Sequence, residues 1–133
     1  MSLTKSFTVG SLSVNAAMAS AIEQDEVLSL VSSEVIQRAA IAARSKIEMG
    51  ESVLISMFFS MPSQVKQRVS GVLLGRAMHS GTDRKVTVAD FQGKMVEYNT
   101  LLAQLTLWNF EDFFTYLSDA VRNAAPAQDE TAP

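Results

Sequence analysis

The sequence predicts an all-α domain of four to five helices, with a possible short β-hairpin at the N-terminus and a disordered acidic tail at the C-terminus. Three observations lead there. Between Thr87 and Trp108, the apolar residues Val88, Phe91, Met95, Tyr98, Leu102 and Leu105 follow one another at spacings of 3, 4, 3, 4 and 3, which places all six on one stripe of a helix. Much of the remaining chain shows helical apolar spacing, punctuated by Gly50, Pro62 and Gly81. Strand-like alternation is confined to the first stretch, 1–14. The expected division is therefore a hairpin or arm at 1–14, a helical domain at 15–124 and a tail at 125–133.

The hairpin rests on Phe7 and Val9, then Leu12 and Val14, alternating with polar residues on either side of Gly10-Ser11, a two-residue link of the kind that closes antiparallel strands. From Asn15 the composition turns helical, and Asn15 or Asp25 can serve as N-cap. The best-defined part, 25–49, carries Leu28, Val31, Val35, Ala39 and Ala42 on one face, widened by Val27, Leu30, Ile36 and Ile41. Gly50 is placed to stop it. The following ESVLISMFFSMP is apolar almost all the way round and ends at Pro62. Such a helix is either central to the core or part of an interface.

Ser63 can cap a third helix, which passes through Val65, Val69, Val72 and Leu73 to Met78 and ends near Gly81. Gly71 and Gly75 within it permit close backbone contact. HSGTDRKVT has turn composition. Thr87 is the expected N-cap of the central stripe helix, with Asp90 suited to the positive end of its dipole. Asn109 is the expected cap of the last helix, whose apolar face is Phe110, Phe113, Phe114, Leu117 and Val121. The closing APAQDETAP has no apolar residues able to anchor it, which predicts disorder.

At 133 residues the chain suits one domain, able to bury about two thirds of its unfolded surface without staples. It contains no cysteine and a single His79, which removes disulfides, thiolate metal sites and cysteine nucleophiles. No run approaches the apolar length of a membrane span. The N-terminal Lys5, FTVGSLSV and AAMASA imitate a secretory signal, but Thr8, Gly10, Ser11 and Ser13 make the stretch too polar, so a cytoplasmic protein is expected. The net charge of −3 is unevenly spread. Glu23, Asp25, Glu26 and Glu34 make the early part acidic; Lys66, Arg68, Arg76, Arg84, Lys85 and Lys94 outweigh Asp83 and Asp90 in the middle; acids dominate after Glu97. Such segregation allows copies to attract one another, or a basic face to meet something acidic.

No catalytic constellation is present. His79 beside Ser80 is adjacency without geometry, and Asp25-Glu26 and Glu111-Asp112 sit in the first turns of expected helices, where the dipole accounts for them. No Walker loop, dinucleotide fingerprint or zinc-protease motif occurs. The chain is expected not to be an enzyme and to need no cofactor or metal. Its candidate partner-binding or self-association residues are the apolar surplus at Met57, Phe58, Phe59 and Met61 and the aromatic corner at Trp108, Phe110, Phe113 and Phe114, because methionines and aromatics dominate interface hot spots. For each of these, core is the competing reading. A small helical DNA-binding regulator using the basic 66–85 region is the alternative, set against an overall acidic chain.

The order of features, KSFTVGSLSV, then acidic helical AIEQDEVLSLVSSEVIQRAA, then helices throughout and a soluble NAAPAQDETAP tail, resembles the lambda-type tail assembly chaperones of long-tailed bacteriophages. The resemblance implies a homo-oligomeric chaperone that binds the hydrophobic, helical tape measure protein and keeps it soluble. It also implies a frameshifted longer form, joined near the tail, that recruits the tail-tube protein.

Overall fold

A computed structural model describes residues 3–130. The expected hairpin is present and longer than predicted: β1 (Thr4–Val9) pairs antiparallel with β2 (Leu12–Ala17). Gly10 takes φ +58°, and the positive value falls on the first of the two central residues only, the mark of a type II′ turn. An added Cβ there would also collide with the Glu97 carboxylate. Phe7, Val9, Val14 and Ala16 face inward, so the alternation seen in sequence is the buried face of a sheet.

The domain is therefore not all-α. A third strand, β3 (Ala77–His79), adds antiparallel to β2 and gives the order β1–β2–β3. The third helix, α3 (Ser63–Leu74), stops four residues short of the expected Met78, with Pro62 rather than Ser63 at the N-cap position. Beyond it the chain exchanges helical bonds for sheet bonds. Ala17 N–H donates to the Arg76 carbonyl at 3.0 Å, and Ser80 N–H donates to Ser13 at 3.0 Å. The turn expected in HSGTDRKVT then folds back, with Val86 N–H donating to Ala77 at 3.0 Å.

Helix α1 (Ala21–Arg44) begins neither at Asn15, which lies in β2, nor at Asp25. Its N-cap is Ser20, whose hydroxyl accepts from Glu23 N–H while Glu23 reaches back to Ser20 N–H, a capping box that satisfies two orphan donors at once. It ends before Gly50. Lys46 adopts φ +58°, Ile47 N–H donates to Ala42 at 2.7 Å and Lys46 N–H to Ala43 at 3.1 Å. This is a Schellman ending with lysine at the position glycine usually fills. Gly50 instead precedes α2 (Glu51–Ser60) as its N-cap.

The central stripe is not one helix. Val88–Phe91 forms a 3₁₀ turn capped by Thr87 and Asp90, and Gly93 at φ +76° breaks the path before α4 (Met95–Asn109). Helix α4 is the hub of the core. Leu101, Leu102, Ala103 and Leu105 are fully buried, with α2, β1 and α3 packed around them. Phe7 meets Trp108 edge-on at 5.7 Å between ring centres. Helix α5 (Glu111–Glu130) lies against α1 through Leu117, Phe113, Phe114 and Val121. Asn109 is the last residue of α4 rather than the cap of α5. Its Oδ1 accepts Ala19 N–H at 2.9 Å and its carbonyl accepts from Gln24 at 3.0 Å, which pins the sheet-to-α1 junction onto α4. Of the expected disordered tail at 125–133, the first part continues the backbone of α5 to Glu130 and the remainder lies outside the described residues.

Candidate functional site

The residues expected to form a partner surface separate into three groups. Met57, Phe58 and Phe110 are core residues, at most 2% exposed, because α2 inserts between its neighbours with α4 along one side. No partner reaches them, and as interface residues they are corrected. Met61, Trp108, Phe113 and Phe114 are half-buried and packed against the same core. Only Phe59 is well exposed, at 50%. The all-round apolar pattern of α2 thus marks a buried element at all but one of its aromatic positions.

Other apolar groups remain uncovered, and one of them, Val88, lines an open groove. Along the 88–105 stripe, Phe91, Tyr98, Leu102 and Leu105 are buried, whereas Val88 is 52% and Met95 44% exposed. The stripe leaves the core where Gly93 breaks it. There, an open groove of about 500 Å³ runs between α3 and the 85–88 segment, with Tyr98 in its lining, within the size range of natural ligand pockets, about 300–1,000 Å³. From α3 it is lined by Lys66, Ser70, Gly71 and Gly75, and from the opposite wall by Lys85 and Val88.

Each lining group has a definite setting. Gly71 is exposed, and a methyl group built on it meets nothing within 4 Å. Gly75, one turn on, is crowded by the Gly71 carbonyl oxygen at 2.8 Å from any added Cβ. Ser70 Oγ and Tyr98 Oη hydrogen-bond at 2.8 Å beneath the groove. The Lys66 ammonium donates to Asn99 Oδ1 and lies 5.3 Å from the centre of the Tyr98 ring and 6.0 Å from that of Phe59, cation–π distances. Burial pushes its pKa below the ordinary lysine value, since a low-dielectric setting disfavours the charged form.

The basic region is only partly available. Arg68 pairs with Glu26, and Arg76 with Glu23 at 3.1 Å. A phosphate-binding face needs those cations free, so the reading of 66–85 as a nucleic-acid surface loses two of its five charges. Of the adjacent His79 and Ser80, the Ser80 hydroxyl donates to Asn15 Oδ1 at 3.4 Å. The His79 ring instead meets Asp90 at 3.0 Å, tying β3 to the 3₁₀ turn. Among the described residues, no group of three or more His, Asp or Glu is placed to hold a metal ion, and no helix is long and apolar enough to cross a membrane.

Sequence reasoning treated the two glycines, the basic stretch and the 88–105 stripe separately. The signal that joins them was present: Ser63, Lys66-Gln67, Ser70-Gly71 and Leu74-Gly75 recur at helical spacing and make one largely polar or small face of α3. What that face opposes is set by the fold of 77–88. No family model, no curated protein and no solved structure matches the chain.

Proposed function

We propose that the protein is a non-enzymatic assembly chaperone that holds an apolar, helical client. The observation that carries this reading is the open groove beside α3, whose lining keeps Val88 in water beside the buried Leu74, Val86 and Tyr98, with the exposed Phe59 ring 6.0 Å from the Lys66 ammonium of its wall. Apolar groups gathered around a groove mark interaction sites more often than scattered ones do, and helix-in-groove docking is a recurring way of binding apolar helices. The resemblance to phage tail assembly chaperones supplies the client class, the tape measure protein, with the tail-tube protein as a further partner and the host cytoplasm as the place of action. In this reading copies of the chaperone also self-associate.

Two measurements test it. A tape measure protein expressed alone and together with this chain is expected to stay soluble only in the second case; equal solubility in both would count against the chaperone role. Light scattering over a range of protein concentrations, at low and at high salt, is expected to show an oligomer that survives salt, as apolar contacts do. A monomer throughout removes self-association from the proposal.

A further inference from the structure

Resting on the reading above, we infer that the groove between α3 and the 85–88 segment is the client seat, and that its occupant is an amphipathic helix with glutamate or aspartate flanking its apolar face. Charge complementarity points to this occupant. Two lysines, Lys66 and Lys85, line the groove, and among the described residues no carboxylate does. Among the described residues Lys85 makes no ion pair, and the Lys66 ammonium has an amide oxygen and two ring faces but no counter-ion. A part-buried ammonium without a carboxylate is favoured by an incoming anion more than an exposed one is. Between the lysines the lining combines apolar Leu74, Val86 and Val88 with Ser70, Gly71 and Thr87, and the empty space over Gly71 admits a side chain of the incoming helix.

A second copy of this chain does not supply that helix from α5, its most acidic amphipathic segment. The apolar face of α5 is already committed, with Leu117 buried and Phe113, Phe114 and Val121 packed on the core. The proposed occupant is a helix of another protein.

The test uses the full chain and two fluorescent synthetic helices of about 18 residues, long enough to hold helical structure. Both have the same leucine and alanine face; one carries flanking glutamates and the other glutamines. The glutamate peptide is expected to bind about tenfold more tightly at low salt, as two part-exposed ion pairs allow, and to keep only about a threefold advantage in Lys85→Gln, where the Lys66 pair remains. Gly71→Leu, which fills the groove on an exposed helix position and improves helix propensity, is expected to abolish binding of both peptides while the thermal midpoint stays the same or rises. Equal binding of the two peptides that persists in Gly71→Leu overturns the groove while leaving an apolar-helix chaperone standing. Failure of the folded chain to bind either peptide overturns both, as does binding of a DNA duplex in their place.

Discussion

Truncating Asn109 should loosen the joint between the sheet and the helices. Its Oδ1 is the acceptor for the buried Ala19 N–H at 2.9 Å, immediately before the Ser20 cap of α1, and the residue is 6% exposed. Asn109→Ala removes that acceptor. An unsatisfied buried donor costs about 1–3 kcal/mol. The other side-chain bond, Nδ2 to the Leu105 carbonyl at 2.9 Å, adds little, because that carbonyl is also served by the α4 ladder. The bond from Gln24 to the Asn109 carbonyl survives, being to main chain. The expected loss is about 2 kcal/mol, a fall of about 6–8 °C in the thermal midpoint for a domain of this length. Urea unfolding gives the energy, with the midpoint shifted and the slope unchanged, and amide exchange at Ala19 localises it. A loss under about 0.5 kcal/mol, the ordinary scale of surface changes, with Ala19 still protected, would refute the reasoning.

Adjacent phenylalanines on α2 should behave oppositely. Phe58→Ala, in the core, is expected to cost about 3–5 kcal/mol, whereas Phe59→Ala, half exposed, is expected to cost less than about 1 kcal/mol and to weaken peptide binding instead; denaturant titration of both variants decides. On α3, Gly71→Ala should stabilise by about 0.5–1 kcal/mol through helix propensity, while Gly75→Ala should destabilise because its methyl group meets the Gly71 carbonyl; equal shifts in calorimetry would contradict the geometry. Acid should weaken the fold through Asp90. The Thr87 N–H, and beyond it His79, hold its carboxyl below the ordinary value of 3.8. The stability this contributes is complete above that unfolded-state value and is lost as pH falls through the lower folded one. Asp90→Asn should flatten the stability profile as pH falls from about 5 through the ordinary carboxylate range, and an unchanged slope would show the carboxylate to be idle.

Local sequence by itself determined the elements whose signals are complete within a few residues. Gly10-Ser11 between alternating apolar pairs specified the hairpin, since the turn geometry sets the register. The apolar periodicity marked the buried Val31, Val35, Ala39 and Ala42 of α1, Tyr98, Leu102 and Leu105 of α4 and Leu117 of α5, but also Leu30, Ile36, Ile41 and Met95, which stay exposed; Pro62 specified the end of α2. Other features depended on distant parts of the chain. Ala77–His79 follows a helical pattern, yet becomes a strand because β2 offers an unpaired edge whose hydrogen bonds outweigh a weak local preference. Asn109 has the composition of a helix cap, but its amide is used by Ala19, ninety positions away in the chain. Met57, Phe58 and Phe110 are as apolar as any interface residue, and only packing against α4 and its neighbours decided that they are core. The groove likewise exists because the 85–88 segment folds back opposite Gly71. Hydrophobicity says which side chains leave water if they can; the arrangement of the remaining chain decides which of them do.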